Sequence, residues 1–312
     1  MGVPIWEYQY GSTNMKAGFI GTGSMGLPLA SNILEHEQSL VAFDINPNAT
    51  ASLAQKQAQI AQSPLEVAMA CDVVFACMPS IDSLNAVVTG DDGVLNGTAM
   101  KLFVNLGTMG TAAITAIEAQ LAHKGVLVLD CPVTGGVKRA WAGDITAITS
   151  GPRAAYEQAL PLLETFTRDI HYVGETVGQA QLVKVCNNIM SFTNLVIGLE
   201  AMVMAAKGGV DPEKALAVFN AGSGQNSATL NRIPDSIMSR QFDGSAPMYI
   251  TAKDAMLWRV ESERLEAPHT VGAATYQVFQ QAIAMGLRDG DLSELVKVVE
   301  RDANFELPKT RE

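Results

Sequence analysis

A glycine turn set between a strand and a helix constrains this chain more than any other feature of its first half. Lys16 to Ile20 is a short apolar strand, and Gly21-Thr22-Gly23-Ser24-Met25-Gly26 follows at once. Helical text runs from Leu27 to about His36, and Ser39 to Phe43 reads as a second strand that ends in Asp44. A turn of this kind lets the backbone approach a pyrophosphate, which then sits on the helix N-terminus. G-x-G-x-x-G is weak by itself. The strand before it, the helix after it and the acid closing the second strand make it specific. A carboxylate at Asp44 can bond both hydroxyls of an adenosine ribose and would repel a 2′-phosphate. Ile45-Asn46-Pro47-Asn48 offer no arginine to hold that phosphate. The expected ligand is NAD, bound by Gly21, Thr22, Gly23, Ser24, Met25, Gly26 and Asp44.

The alternation continues downstream. Asp72–Met78, Lys101–Leu106, Val126–Asp130, Gly143–Thr149 and His171–Val173 read as strands, and Ala49–Gln62, Ile81–Val88, Thr111–His123 and Ala154–Thr165 as helices. This pattern predicts an α/β fold with a parallel sheet covered by helices, a Rossmann domain over residues 15–177. Ligands of such sheets bind at the carboxyl ends of strands, so Met78, Pro79, Thr108, Thr134, Gly135 and Gly136 face one crevice. Thr134-Gly135-Gly136 reads equally well as an anion-binding loop and as a flexible turn.

A second feature follows. From Gln179 to about Lys207 there is no proline and only one interior glycine, Gly198, and between Lys184 and Lys207 the only charge is Glu200. An apolar helix of this kind is expected to be buried on every side. It carries Lys184, Asn187 and Asn188, and a buried ammonium needs a reason because an unpaired one is costly. Lys184 and Asn188 are four apart and share a face. The helix is expected to be the joint between two domains and the wall of an active site. After it the text is all helical, with helices expected from Pro212 and over Ala228–Ser239, Tyr249–Leu265, Thr270–Met285 and Leu292–Val299. Residues 178–312 are thus expected to form an all-α domain.

The totals exclude some classes. A net charge of −11 argues against nucleic acid or an anionic membrane held by bulk charge. Ser191, Thr193, Asn194 and Glu200 make a buried helix a better reading of Ile189–Val203 than a membrane span. The four cysteines lie in apolar text without metal-ligand spacing and are expected to be reduced core residues of a cytoplasmic protein. No metal is expected. Residues 1–14 lack the pattern of a signal peptide and are expected to be a disordered extension.

Four blocks in order resemble the β-hydroxyacid dehydrogenases, the group of 3-hydroxyisobutyrate dehydrogenase, tartronate semialdehyde reductase and 6-phosphogluconate dehydrogenase. They are Gly18–Gly26, Asp130-Cys-Pro-Val-Thr-Gly-Gly136, Gly178-Gln-Ala-Gln-Leu-Val-Lys-Val-Cys-Asn-Asn188 and Lys253-Asp254, in a match running from Met15 to about Glu300. The resemblance implies a Rossmann domain joined by a long helix to an all-α domain, and a homodimer or homotetramer. It implies that Lys184 is the catalytic acid/base, that Asn188 positions the reacting group, and that Thr134, Gly135 and Gly136 hold the substrate's acid group, with Asn187 nearby. It implies further that Met78, Pro79 and Thr108 line the nicotinamide-ribose site and that Lys253 closes over the cofactor. Gln225 and Asn226 are expected as neutral contacts to a polar substrate tail. The chain departs from the family at Thr134, where serine is usual. It departs also at Asn105-Leu-Gly107-Thr108, in place of Asp-x-Ser-Thr, and at Ala246, where many members have phenylalanine. All three departures are expected to touch substrate fit. Imine reductases share the glycine motif but usually lack the lysine, and dehydrogenase-like scaffolds have lost it; Lys184 speaks against both.

Asp44 generates a direct test. Initial rates with NAD and NADP should give a higher kcat/KM for NAD, and a clear preference for NADP would overturn the assignment of Asp44.

Overall fold

The structure is a computed structural model, and it describes residues 15–244 and 246–309. The expectation of disorder over residues 1–14 falls outside them. Two compact units divide the chain after Gln181, within the first turn of the long helix.

The first unit is a nine-stranded sheet with helices on both faces. In chain order it contains β1 (Ala17–Ile20), α1 (Gly26–Glu37), β2 (Val41–Phe43), α2 (Ala51–Gln55), β3 (Gln59–Ile60), α3 (Pro64–Ala70), β4 (Val73–Ala76) and α4 (Ile81–Thr89). There follow β5 (Leu102–Asn105), α5 (Thr111–Ala122), β6 (Leu127–Asp130), β7 (Val133–Thr134), α6 (Gly136–Trp141), β8 (Ile145–Ser150), α7 (Arg153–Leu163) and β9 (Thr167–Gly174). The order is β3-β2-β1-β4-β5-β6-β8-β7, with β9 on β8. Successive side chains of a strand point to opposite faces, and here both faces are dry. Val73 and Phe75 of β4 join one core with Phe19, Leu29 and Phe166. Val74 and Ala76 join the other with Ile20, Phe103, Ile114 and Leu121. This is the burial of a parallel sheet, in which continuous apolar strands replace alternation.

The sheet is parallel from β3 to β6, but β8 meets β6 and β7 antiparallel. The sheet is thus mostly parallel, as expected, with β8 reversed. The residues between β7 and β8 hold only the short α6, too little for the crossover that parallel strands need, so the chain doubles back. The helix expected over Ala49–Gln62 is also shorter. Gln57 takes a left-handed φ of 70°, which stops α2 and lets Gln59 and Ile60 pair with β2.

The second unit is helical. Its elements are α8 (Gln179–Lys207, whose first turn lies in the first unit), α9 (Pro212–Ala221), a π-helix (Ala228–Met238), α10 (Met248–Arg264), α11 (Thr270–Ala284) and α12 (Val296–Ala303). The π-helix stands where an α-helix was expected. Pro234 inside it has no N–H to donate and crowds the preceding turn, and wider winding accommodates both. Its start is capped by Asn226, whose Oδ1 accepts from Ala228 N at 2.9 Å and Thr229 N at 3.2 Å. Gly198 makes room for this segment against α8, for a Cβ there would lie 2.9 Å from Ile233 Cδ1.

One side of α8 packs into the helical core through Leu195, Leu199, Met202 and Val203, against Ile233, Ala255 and Phe279. Thr193 is satisfied by Thr275 at 2.9 Å. The opposite side is not buried. Val183, Met190, Ile197 and Met204, spaced by sevens, are 43, 67, 54 and 75% exposed, so the expectation of burial all round fails within one chain. By length and composition α8 could cross a membrane, yet its packed face is that of a core helix. Cys186 lies on the exposed side and is not a core residue, whereas Cys71 and Cys131 are buried.

Candidate active site

Three glycines of the first turn differ in what they spare. A Cβ on Gly26 would stand 1.8 Å from Gly21 O, and one on Gly21, whose φ is 89°, 2.6 Å from Cys77 O. Both are required by the chain's own packing. A Cβ on Gly23 would meet no protein atom within 4 Å. Gly23 therefore leaves open space over the N-terminus of α1, the cradle that a pyrophosphate fits. Asp44 borders it, its Oδ2 accepting from Thr22 N at 2.7 Å and its Oδ1 from Asn46 N at 2.8 Å. The carboxylate is half-buried beside Asn46, Pro47 and Asn48, none of which is cationic. Ser24 is exposed and Met25 half-buried at the same turn.

The remaining sheet residues come from the same strand ends. Met78 and Pro79 follow β4 and Thr108 follows β5. Thr134 ends β7, and Gly135 and Gly136, with φ of 134° and 80°, are exposed beyond it. Behind Thr108 lies a knot that residue types alone did not announce. Gln181, the last residue of the first unit, is fully buried. Its Oε1 accepts from Met109 N at 2.8 Å and Gly110 N at 3.0 Å, and its Nε2 donates to Gly107 O at 3.0 Å and Asp130 Oδ1 at 2.7 Å. Asn105 also donates, to Gly107 O at 2.9 Å and Asp130 Oδ1 at 3.1 Å. Burial pushes the Asp130 carboxyl up to about 7, against the pull of the Gln181 and Asn105 donors. Asn105 faces inward, so its departure from the family pattern serves this knot, not substrate fit.

In the second unit a second group surrounds Asp254. Lys184 and Asn188, on adjacent turns of α8, are each only 8% exposed. Asn188 Nδ2 donates to Asp254 Oδ2 at 2.8 Å, and Asn188 Oδ1 accepts from Asn187 Nδ2 at 3.2 Å. Lys253 Nζ lies 3.1 Å from Asp254 Oδ1. Burial lowers Lys184 to about 8; Asp254 opposes that and Lys253 assists it. Asp254 was visible only as half of a motif. Its partner Asn188 is far away in sequence, and no local pattern links them.

Gln225 and Asn226 are occupied otherwise. Asn226 caps the π-helix, and exposed Gln225 donates to Asn220 O at 2.9 Å. The fold gives both a local task, separate from the expected substrate contact.

A strand–glycine turn–helix cradle with an acid closing the second strand defines a class, the dinucleotide-binding proteins. A model of the NAD binding domain of 6-phosphogluconate dehydrogenase matches residues 16–174. One described as NAD-binding of NADP-dependent 3-hydroxyisobutyrate dehydrogenase matches residues 178–299. The 2-(hydroxymethyl)glutarate dehydrogenase of Eubacterium barkeri is 32% identical, covering 92% of this chain and 96% of its own length. The 3-hydroxyisobutyrate dehydrogenase of Pseudomonas aeruginosa is 31% identical, covering 84% and 90%. A crystal structure of 3-hydroxyisobutyrate dehydrogenase from Salmonella typhimurium superimposes with a TM-score of 0.82 at 25% identity, over 91% of this chain and all of that one. The chain belongs to the β-hydroxyacid dehydrogenase family, and a nicotinamide dinucleotide is its cofactor.

The glycine contrast is testable. Gly26→Ala should cost about 1–3 kcal/mol of stability, as overpacking does. Gly23→Ala should leave the Tm near native and weaken dinucleotide binding at least about tenfold, the binding being read by calorimetry. Native affinity in Gly23→Ala would refute the cradle.

Proposed function

We propose that this protein is an NAD-dependent dehydrogenase that interconverts a small β-hydroxy acid and its semialdehyde, with Lys184 moving the proton. The observation that carries this reading is Lys184 itself. It is a buried amine lowered to about 8, one turn from an amide fixed by Asp254. In oxidation the neutral amine takes the hydroxyl proton, and in reduction the ammonium returns it to the carbonyl oxygen. Bound NAD supplies the acceptor of the hydride lost from the carbinol carbon. Asn188 gives one amide hydrogen to Asp254 and keeps the other for the substrate oxygen, orienting it without adding charge. Thr134, Gly135 and Gly136 take the carboxylate.

The relatives favour a substrate class. 3-Hydroxyisobutyrate and 2-(hydroxymethyl)glutarate, the substrates in their names, share HOCH2–CH(R)–COO− and differ in R. A primary alcohol β to a carboxylate is the chemistry proposed for this chain. The test is a panel of such acids with NAD, read by nicotinamide absorbance; no turnover of any member would overturn the reading.

Lys184→Ala should lower kcat at least about 100-fold, within the usual share of acid–base catalysis, and leave NAD binding nearly intact. In the native enzyme kcat/KM for oxidation should rise with pH through about 8, because only the neutral amine accepts a proton. The reductive rate should fall over the same range. Asp254 raises the lysine's pKa, so Asp254→Asn should move both midpoints to lower pH. Unmoved midpoints in a folded Asp254→Asn protein would deny Asp254 that role.

The exposed stripe of α8 is proposed to meet a second copy of this chain. Large apolar side chains recurring every seven residues form a seam that one helix can present to its twin, and between Lys184 and Lys207 the helix carries one charge, Glu200. Light scattering should show an oligomer for the native protein and a smaller species for Met190→Glu with Ile197→Glu. A native monomer at micromolar concentration would refute the interface.

A further inference from the structure

We propose that Gln181 is a positioning residue for the dinucleotide half of the site, acting through the loop that carries Thr108. The inference rests on the dehydrogenase reading above, in which Thr108 lines the nicotinamide-ribose site.

A primary amide has two acceptor lone pairs and two donor hydrogens. Gln181 uses all of them, on Met109 N, Gly110 N, Gly107 O and Asp130 Oδ1. The loop leaves the sheet at Leu106, whose N–H still bonds Ala76 O at 2.8 Å. Beyond that point side chains hold its backbone. Gly107 N donates to Asn105 Oδ1 at 3.3 Å, and Gly107 O receives both Asn105 and Gln181. Thr108 is thus bracketed on both sides by groups bonded to one amide.

No near relative of glutamine can do the same. A glutamate of equal length keeps the two acceptor contacts but turns a second carboxylate oxygen toward Asp130 and Gly107 O. A methionine keeps the volume and makes none of the four bonds. Gln181 also lies in the first turn of α8, about 4.5 Å along the axis from Lys184. The same side chain therefore anchors the strand-end loop and the root of the helix bearing the proposed acid/base.

The test uses Gln181→Met and Gln181→Glu in the full-length protein, with Thr193→Val as a structural control that breaks a half-buried side-chain bond elsewhere. Hydrogen exchange without ligand should quicken at Met109 and Gly110 in Gln181→Met, which loses both acceptor contacts, and less in Gln181→Glu, which keeps them. The NAD dissociation constant should rise about tenfold, the worth of roughly one hydrogen bond, while KM for the hydroxy acid changes little. Thr193→Val should lower the Tm and leave both readouts unchanged. Unaltered exchange at Met109 and Gly110 would remove the clamp. Faster exchange with native NAD affinity would reduce Gln181 to a packing residue. Absence of NAD binding or turnover in the native protein would instead defeat the underlying dehydrogenase reading, whatever the exchange data show.

Discussion

The side-chain amide of Gln181 spends its whole hydrogen-bonding capacity inside the protein, and much of the first unit is arranged to receive it. β5 ends where its backbone can accept and donate to that amide, and β6 ends in a carboxylate that takes its remaining hydrogen. A buried polar group with any of these bonds missing would cost free energy, so the strand ends, the loop and the root of α8 are adjusted together. The glycine turn is constrained in the same way by Gly21 and Gly26, which admit no Cβ. The freedom left over, at Gly23 and around Asp44, lies where a ligand would be.

Asn105 shows how a departure from a family pattern can be misjudged without coordinates. Read along the chain, it is a lost acid beside the cofactor. In three dimensions it donates to Asp130 and to Gly107 O from full burial. Two carboxylates at that separation could not both ionise without a large electrostatic cost, because burial weakens screening. An amide at 105 removes the conflict and gives Asp130 a donor. The amide at 105 thus serves the buried interior around Asp130.

Long apolar elements were the most legible part of the chain. The helix Gln179–Lys207 and the strands around Phe19, Phe75 and Phe103 follow from composition, because each is a continuous apolar run of the length its element needs, bounded by turn signals. Short pieces were not legible. β3, β7 and α6 are too brief to have a period, and they exist because neighbours offer pairing or because a turn must be made. The π-helix depends on how Pro234 is accommodated, which local propensity does not decide. Among site residues, those in motifs were found by type and spacing. Asp254 and Gln181 stood within quoted blocks, yet their tasks depend on partners 66 and 51 residues away. Such pairings become visible only when the chain is folded. The exposed side of α8 is a different kind of miss, since apolarity predicts burial without saying by which molecule.

The electrostatics around Lys184 follow from the same folding. Lys253 and Asp254 form an ion pair and act on Lys184 in opposite directions, with desolvation the leading influence. Burial of this kind favours the neutral amine, the form that the proposed base needs. A carboxylate alone beside Lys184 would hold it charged and useless as a base near neutrality. A lysine without any carboxylate would fall further and become a poor acid for the reverse reaction. A reversible alcohol–carbonyl interconversion needs one group able to serve in both directions, with a pKa near the working pH. In the proposed mechanism Asp254 would serve both demands, opposing the desolvation of Lys184 and orienting Asn188.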